Sequence, residues 1–437
     1  IDRRDGTWSV SAYGREGVTD VLRERGLEAV TLKPAERVRS EWALAAGTGY
    51  LDSAALYARL RALADEHGDV CSVAALPQRT HEGREVLSLR IGSGPAVVVL
   101  GGVHAREWAP PDALLSLAEG LVRAYAAGGA FEHELWHDGT IPYAAWSVSA
   151  DEVKRIVEGV TLVVVPLVNP DGRDFSLAGT DELHFMWRKN RRAGDGGPWC
   201  DGVDLNRNFD IAWDFERYYD AAAAREVQSS KDPCDEQIYI GPGAASEPET
   251  QNVQALVAAE RPLCFMDVHS YSRDILYPWG MDDDQAADPT QSFANPDWDR
   301  GGSHGGRDGV GGAYGEYLPS ALGARHMAVA RLMRDAMRDQ AGGDPTARHR
   351  SLYTIKQALG LYPTTGTSDD YCSALTMLDQ EARPIVAFCL ECGIDQAPDD
   401  PDDDEGGFHP DRVRTFPKIE REVHAAVLAL ARAAIGG

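Results

Sequence analysis

The sequence predicts an α/β fold in which a mixed, largely parallel central sheet is covered by helices on both faces. Short apolar runs rich in β-branched residues alternate along the chain with longer segments of helical periodicity, the pattern of strands joined by helices. Polar residues capable of chemistry directly follow several of these runs. With 437 residues, of which 43% are hydrophobic, the chain is long enough to bury one large core. We therefore expect one dominant domain.

The individual elements follow from the same periodicities. Apolar runs indicate buried strands, which we expect over Ala96–Leu100, Thr161–Val168, Leu263–Val268 and Pro384–Leu390. Apolar residues at helical spacing indicate helices, which we expect over Leu51–His67, Pro111–Ala126, Glu247–Ala259, Ala321–Gln340 and Lys418–Ala434. Ser246 directly precedes the third of these helices. Glu249 lies three residues after Ser246, which is the spacing of a capping box.

The first 45 residues precede this alternation. We assign residues 1–45 to an N-terminal extension, either a remnant of a pro-segment or a decoration, and residues 46–437 to the main domain. Within the extension we expect a helix over Gly17–Arg25 and a strand near Glu28–Leu32. The chain begins at Ile1 and shows no signal-type apolar segment, so we expect a processed or trimmed chain.

The charge balance limits the possible partners. Lys and Arg number 43 against 69 Asp and Glu, which gives a formal net charge of −26. Nucleic acids and anionic membranes need basic surface, so we expect neither as a partner. No apolar run approaches the length of a membrane span, and we expect a monomer.

Two acidic stretches, Met281–Gly312 and Gln396–Gly407, offer the oxygen ligands that calcium prefers. Neither matches the spaced Asp, Gly and Glu pattern of a calcium loop. We interpret both as solvated loops, with calcium as the alternative.

The chain has seven cysteines. Cys389 and Cys392 have no second pair at zinc-finger spacing, which argues against a structural cysteine–zinc site. Cys264 lies, like Cys389, inside an apolar run typical of buried thiols. Cys200 and Cys234 flank polar loops and are the best candidates for a disulfide, which would imply an oxidising compartment.

Candidate metal ligands follow the predicted strands. His104 and Glu107 come after the first strand, His269 directly follows the third, and Glu391 ends the fourth. Ligands of open α/β sheets bind outside the carboxyl ends of the strands. We therefore expect His104, Glu107 and His269 to converge as a zinc set, with Glu391 as a free carboxylate beside it.

The order of several motifs identifies a resemblance that covers the chain from about Gly49 to its C-terminus. The chain resembles the zinc metallocarboxypeptidases related to pancreatic carboxypeptidases A and B. The matching segments are His104-Ala105-Arg106-Glu107-Trp108, Asn169-Pro170-Asp171-Gly172, Met186-Trp187-Arg188-Lys189-Asn190-Arg191, Gly202-Val203-Asp204-Leu205-Asn206-Arg207-Asn208-Phe209, His269-Ser270-Tyr271-Ser272, and Tyr362 through Tyr371.

The resemblance implies one Zn²⁺ per chain, bound by His104, Glu107 and His269, and hydrolysis of the C-terminal peptide bond of peptides or proteins. A zinc-bound water would attack the scissile carbonyl, with Glu391 as the base that takes its proton. Arg188 would stabilise the developing oxyanion.

The same resemblance implies how the substrate is recognised. Arg207 and Asn206 match the pair that binds the free C-terminal carboxylate, which a guanidinium can contact through two hydrogen bonds. Tyr362 matches the tyrosine that closes over this carboxylate. Arg106 and Tyr271 match accessory positions in the substrate cleft.

Asp369 stands seven positions after Tyr362, where the family sets its specificity. The carboxypeptidase B type has an acidic residue at this position and the A type an aliphatic one. A buried, unpaired carboxylate is costly, so Asp369 favours a cationic partner. We expect a preference for C-terminal Lys or Arg, unless a neighbouring arginine of the chain holds Asp369.

Departures from the pancreatic pattern leave some assignments open. Thr367 replaces a second glycine, and the segments Phe131–Glu158 and Met281–Gly312 are expected insertions. The chain between Tyr362 and Glu391 is several residues longer, which makes Glu381 the alternative base. We prefer Glu391 because it ends an apolar run.

The resemblance also supports the pairing of Cys200 with Cys234, since the pancreatic enzymes have a disulfide there, and with it a secreted, extracellular protein. Two alternative functions remain. One is a cell-wall peptidase acting on the diaminopimelate-containing stem of peptidoglycan, for which Asp369 is equally suited. The other is a catalytically inactive binding module, which would have lost a ligand or the base.

Overall fold

A mixed sheet of eight strands forms the centre of the molecule. The computed structural model describes residues 2–4, 7–9, 18–29, 49–139, 141–378, 383–397, 400 and 402–436. The strands of the sheet are β1 (Cys71–Ala75), β2 (Leu87–Gly92), β3 (Ala96–Gly101), β4 (Thr161–Val165), β5 (Cys264–His269), β6 (Asp274–Tyr277), β7 (Thr354–Gln357) and β8 (Val386–Glu391). Their order across the sheet is β7-β6-β8-β5-β3-β4-β2-β1.

The four central strands, β4, β3, β5 and β8, are mutually parallel. The flanking strands β2 and β6 run antiparallel to them. Val97, Val98 and Val99 of β3 are fully buried on both sides of the sheet, as the unbroken apolar run predicts. The mixed, largely parallel sheet predicted from the sequence is confirmed. All four carboxyl ends therefore lie along one edge of the sheet.

The surrounding helices carry the apolar faces that cover the sheet. Helix α8 (Phe416–Ile435) packs against α6 (Ser320–Asp339) and α2 (Ala109–Ala126) as well as against strands β3 and β5. The main helices are α1 (Ser53–Glu66), α2 (Ala109–Ala126), α3 (Ala150–Gly159), α4 (Pro170–Ala178), α5 (Pro248–Glu260), α6 (Ser320–Asp339), α7 (Ser368–Leu378) and α8 (Phe416–Ile435).

Shorter elements complete the described part of the chain. Short helices span Val18–Glu24, Glu182–Phe185, Phe215–Tyr218 and Pro345–Arg350. Paired short strands are Asp2–Arg4 with Thr7–Ser9, Phe131–His133 with Trp146–Val148, Trp136–His137 with Pro142–Tyr143, and Asp284–Gln285 with Glu316–Tyr317.

Most predicted elements begin or end within one or two residues of the observed ones, and two of the differences have a clear physical cause. Strand β4 ends at Val165 rather than at Val168, because Pro166 has no N–H for the strand ladder. Helix α5 begins at Pro248 with Glu247 at the N-cap and no side-chain cap, so the predicted capping box is wrong. The Ser246 hydroxyl instead contacts Glu247 Oε1 at 2.7 Å.

The N-terminal extension lies largely outside the described residues. Its predicted helix is present over Val18–Glu24. Glu28 is not in a strand, and the rest of the strand predicted near Glu28–Leu32 falls mostly outside the described residues. Glu381, the alternative base, also lies outside them. None of the helices in the described ranges is long and apolar enough to cross a membrane.

The acidic stretch after β8 is anchored by cations of the chain itself. Arg273 donates hydrogen bonds to both carboxylate oxygens of Asp403, at 2.6 and 2.5 Å, and a further one to Glu405. Lys418 Nζ lies 2.7 Å from Glu405 Oε1. These buried pairs fix the stretch against the start of α8.

Candidate metal centre and active site

Three potential metal ligands meet at the carboxyl edge of the sheet. His104 and Glu107 lie in the turn between β3 and α2, and His269 is the last residue of β5. Nδ1 of His104 lies 2.7 Å from Glu107 Oε1 and 3.0 Å from Nδ1 of His269, and Nδ1 of His269 lies 3.0 Å from Glu107 Oε2. Their donor atoms therefore face one common point.

This donor set fits a zinc ion. Two imidazole nitrogens and one carboxylate, with a fourth position left open, are typical of catalytic zinc sites. Burial acts to raise the pKa of the Glu107 carboxyl, but His104 and His269 outweigh it and hold that pKa well below its usual range. The Glu107 carboxyl is therefore ionised, as a metal ligand must be, and all three side chains are buried.

Two further carboxylates orient the imidazoles from behind. His104 Nε2 lies 3.1 Å from Asp204 Oδ1, and His269 Nε2 lies 3.1 Å from Asp267 Oδ2. A carboxylate on the far nitrogen fixes the ring orientation and the tautomer of a metal-binding histidine. Neither aspartate was predicted from the sequence to have a role in the site. A lone Asp within the apolar run of β5 was the available signal for Asp267.

Asp204 also holds the predicted oxyanion-stabilising arginine. The Arg188 side chain donates from Nε to Asp204 Oδ2 at 2.9 Å, and its Nη2 lies 2.9 Å from the same oxygen. Its Nη1 is 4.0 Å from Glu107 Oε1. Burial acts to raise the pKa of Asp204, yet the charges of Arg188 and His104 hold it below the usual range. The structure therefore brings Arg188 next to the three candidate metal ligands.

Glu391 ends β8, directly opposite His269 in the parallel pairing with β5. Burial raises its pKa to about 7. A carboxyl group with a pKa near neutrality can accept and return a proton at physiological pH. Cys389 Sγ lies 3.9 Å from Glu391 Oε1. The position at a strand end, which favoured Glu391 over Glu381 in the sequence, is present in the structure.

Arg207 and Asn206 lie in one turn of 3-10 helix that Asp204 caps. Arg207 donates from Nε to the Gln228 carbonyl at 2.6 Å and from Nη1 to the Asn206 carbonyl at 2.6 Å. Among the described residues no hydrogen bond uses Nη2. The Tyr362 ring centre lies 5.9 Å from Arg207 Cζ. Backbone carbonyls thus hold the Nε and Nη1 groups of Arg207, which leaves its Nη2 group for a ligand.

The loop between Tyr362 and α7 is docked onto this turn. Gly366 has φ +68°, and a side chain there would place its Cβ 2.4 Å from the Arg207 carbonyl oxygen. Ser368 N donates to Asn206 Oδ1 at 2.9 Å, and Ser368 Oγ donates to Asp267 Oδ2 at 2.7 Å. Ser368 therefore connects the turn that holds Arg207 with Asp267, the carboxylate behind His269.

Asp369 follows Ser368 and is 2% exposed. Its Oδ2 atom is buried and has no hydrogen-bond partner among the described residues. Burial raises its pKa, and no arginine or lysine in the described part of the chain forms an ion pair with it. The alternative in which an arginine of the chain holds Asp369 thus finds no partner there.

The predicted accessory residues Arg106 and Tyr271 both contact the ring of Phe408. The rings of Tyr271 and Phe408 have centroids 4.8 Å apart, and Arg106 Cζ lies 4.2 Å from the centre of the Phe408 ring. Arg106 Nη1 also donates to Gln237 Oε1 at 2.6 Å. The structure brings Arg106 and Tyr271 together through Phe408, a residue that sequence reasoning did not single out.

The Cys200–Cys234 disulfide is present, and the other five cysteines are buried free thiols. The disulfide joins two loops that bind the side chain of Lys189, the residue after Arg188. Lys189 Nζ donates to the Trp199 carbonyl at 2.8 Å and to the Asp235 carbonyl at 2.7 Å, each next to one of the two cysteines.

Replacing both Cys200 and Cys234 with Ser is expected to lower the free energy of unfolding by about 2–4 kcal/mol. The bond links residues 34 positions apart, so its loss frees a sizeable loop in the unfolded chain. Denaturant unfolding under oxidising conditions measures the difference. The difference should vanish in a reducing buffer, and equal stabilities under oxidising conditions would contradict the expectation.

Comparison with known proteins agrees with this arrangement. The family model of the zinc carboxypeptidases matches residues 56–414. Carboxypeptidase B of Astacus astacus is 31% identical over 243 residues, which cover 54% of this chain and 66% of that protein. The inactive metallocarboxypeptidase ecm14 of Talaromyces marneffei is 27% identical over 216 residues, 46% of this chain and 30% of that protein. The chain therefore spans less than two thirds of either relative.

The fold has a counterpart among solved structures. Carboxypeptidase A of Helicoverpa armigera superposes with a TM-score of 0.64 at 23% identity, covering 97% of this chain and 87% of that one. The family model covers most of the chain. The chain belongs to the zinc carboxypeptidase family.

Proposed function

We propose that this protein is a zinc-dependent carboxypeptidase that removes C-terminal residues, preferring Lys and Arg. The observation that carries the activity is the convergence of the His104, Glu107 and His269 donor atoms within 3.0 Å of their neighbours, beside Glu391. Residues 46–437 are proposed as the catalytic domain and residues 1–45 as an extension. The disulfide supports a secreted protein, proposed to act as a monomer.

A zinc ion held by these three side chains would polarise the scissile carbonyl and lower the pKa of a water at its open position. Glu391 accepts the proton of the attacking water and returns it to the leaving amine. Arg188, fixed by Asp204, stabilises the negative charge that develops on the carbonyl oxygen. Arg207 and Asn206 bind the terminal carboxylate, and Tyr362 covers it.

The buried Asp369 carboxylate supports the substrate preference. Ser368 contacts Asn206 on one side and Asp267 on the other, so the next residue lies close to both the carboxylate-binding pair and the metal centre. The unpaired oxygen of Asp369 is costly until a cation reaches it. The ammonium of Lys or the guanidinium of Arg supplies such a cation.

A panel of matched peptides tests the proposal. Zinc-loaded protein is expected to cleave peptides ending in Arg or Lys faster than those ending in Leu or Glu. It should leave a peptide with a C-terminal Arg amide intact, because the amide removes the charge that Arg207 binds. A clear preference for Leu would refute the basic specificity, and cleavage of the amide would refute carboxylate recognition.

The peptidoglycan stem remains the second candidate, because a diaminopimelate centre also offers a cation to Asp369. Activity on peptidoglycan fragments without activity on peptides ending in Lys or Arg would favour it. Complete inactivity of the zinc-loaded protein on both panels would favour the inactive binding module.

The pH dependence follows from Glu391. Burial raises its pKa to about 7, and only the ionised carboxylate accepts a proton. Below the pKa, kcat/KM is expected to fall by about tenfold per pH unit, while above it the activity reaches a plateau. Zinc nearby favours the ionised form, so the midpoint should lie at or below that value. Activity independent of pH between about 4 and 8 would contradict this role.

A further inference from the structure

A second group of nitrogen and oxygen donors lies apart from the candidate zinc centre. It consists of His81, in the loop between β1 and β2, and of Glu247 and Glu249 at the start of α5. His81 Nε2 lies 2.8 Å from Glu247 Oε2. One donor atom from each of the three side chains lies within 4.8 Å of the others.

Glu249 provides the observation that points to a ligand. Its side chain is fully buried, and its Oε1 atom has no hydrogen-bond partner among the described residues. Its other oxygen, Oε2, accepts a hydrogen bond from Asn190 Nδ2 at 3.1 Å. A buried carboxylate oxygen without a partner is costly. A cation at Oε1 would remove this cost without disturbing the bond to Asn190.

Both carboxylate oxygens of Glu247 already accept hydrogen bonds, as the oxygens of metal-binding carboxylates do. Its Oε1 accepts from Ser246 Oγ at 2.7 Å and from Arg192 Nη1 at 3.0 Å. Its Oε2, shared with His81, accepts from Asn190 Nδ2 at 2.8 Å. Hydrogen bonds of this kind fix ligand carboxylates in metal sites. Arg192 also leaves the group less negative than two carboxylates alone would make it.

The third donor is fixed through its chain neighbours. Thr80 Oγ1 donates to Asp171 Oδ1 at 2.8 Å, and the Glu82 backbone N–H donates to Asp171 Oδ2 at 2.8 Å. These two bonds hold the backbone on either side of His81. The His81 side chain is 28% exposed, so an ion has a path to the group from solvent.

We propose that His81, Glu247 and Glu249 form a second divalent-cation site, separate from the catalytic centre. One imidazole and two carboxylates are a donor set that suits zinc. The ion would tie the β1–β2 loop to the start of α5. Through Asn190 it would also support the segment that carries Arg188.

Equilibrium dialysis against Zn²⁺ at about pH 7.5 tests the proposal on the full chain. The wild-type protein is expected to bind about two equivalents, one at each site. The His81→Ala and Glu249→Gln variants should each bind about one, and should keep peptidase activity because the catalytic ligands are intact. His269→Ala should lose activity and retain the equivalent bound at the new site.

His349→Ala serves as the matched control, since His349 is exposed and lies outside the group. It should still bind about two equivalents. The His81→Ala variant removes a partly exposed side chain, so it stays informative even if Glu249→Gln fails to fold. A single equivalent in the wild-type protein would overturn the proposal. So would a second equivalent that persists when His81 is removed.

Discussion

Replacing Glu391 with Gln is expected to lower kcat by about 10²- to 10⁴-fold while the variant still binds its catalytic zinc. The amide keeps the size of the side chain but cannot take the proton of the attacking water. Glu391 is not one of the three converging ligands, so the metal content should not change. Peptide hydrolysis and metal analysis on the same preparation separate these two effects.

Two variants serve as controls for this result. Glu158→Gln changes an exposed glutamate on α3 and should leave kcat unchanged. Glu381→Gln should also keep its activity, because Glu391 rather than Glu381 ends the strand opposite His269. Activity retained in Glu391→Gln but lost in Glu381→Gln would move the base to Glu381.

Replacing Asp369 with Asn is expected to change the substrate preference more than the rate on neutral substrates. Removing one partner of a buried charge pair costs about 2–5 kcal/mol, or roughly 30- to 4,000-fold in kcat/KM for peptides ending in Arg or Lys. Peptides ending in Leu should lose little. An Asp369→Leu variant should gain activity on them, because an apolar floor suits an apolar side chain.

The ratio of kcat/KM for matched Arg and Leu peptides is the measurement. Asp335→Asn, on the exposed face of α6, removes an equal charge and should leave this ratio unchanged. A ratio that stays the same in Asp369→Asn would show that another group selects the substrate. Zinc binding by Asp369→Asn provides the folding control.

The sequence predicted the elements that place the site because their signals are local. The β-branched run of β3 and the His104 and Glu107 that follow it are read directly from residue order. The start of α5 was not predicted correctly, since Pro248 and the contacts of Ser246 override a good capping pattern. Local propensity decides an element's existence more firmly than its first residue.

The residues that support the site were harder to predict. Asp204 and Asp267 act through His104 and His269, and that role depends on packing between segments distant in the sequence. Phe408 directly follows the acidic stretch in the sequence, and its ring contacts Tyr271 and Arg106 at the site. The pattern of residues along the chain carries little information about such contacts.

In the proposed mechanism, Asp204 links zinc affinity to transition-state binding. One carboxylate contacts both His104 and Arg188, so a ligand that draws Arg188 toward a negatively charged oxygen also alters the electric field at His104, a proposed zinc ligand. Thermodynamic reciprocity requires that any such ligand change zinc affinity by the same factor by which zinc changes its own. A phosphonate inhibitor should therefore slow the loss of zinc to a chelator, and should do so less in an Asp204→Asn variant.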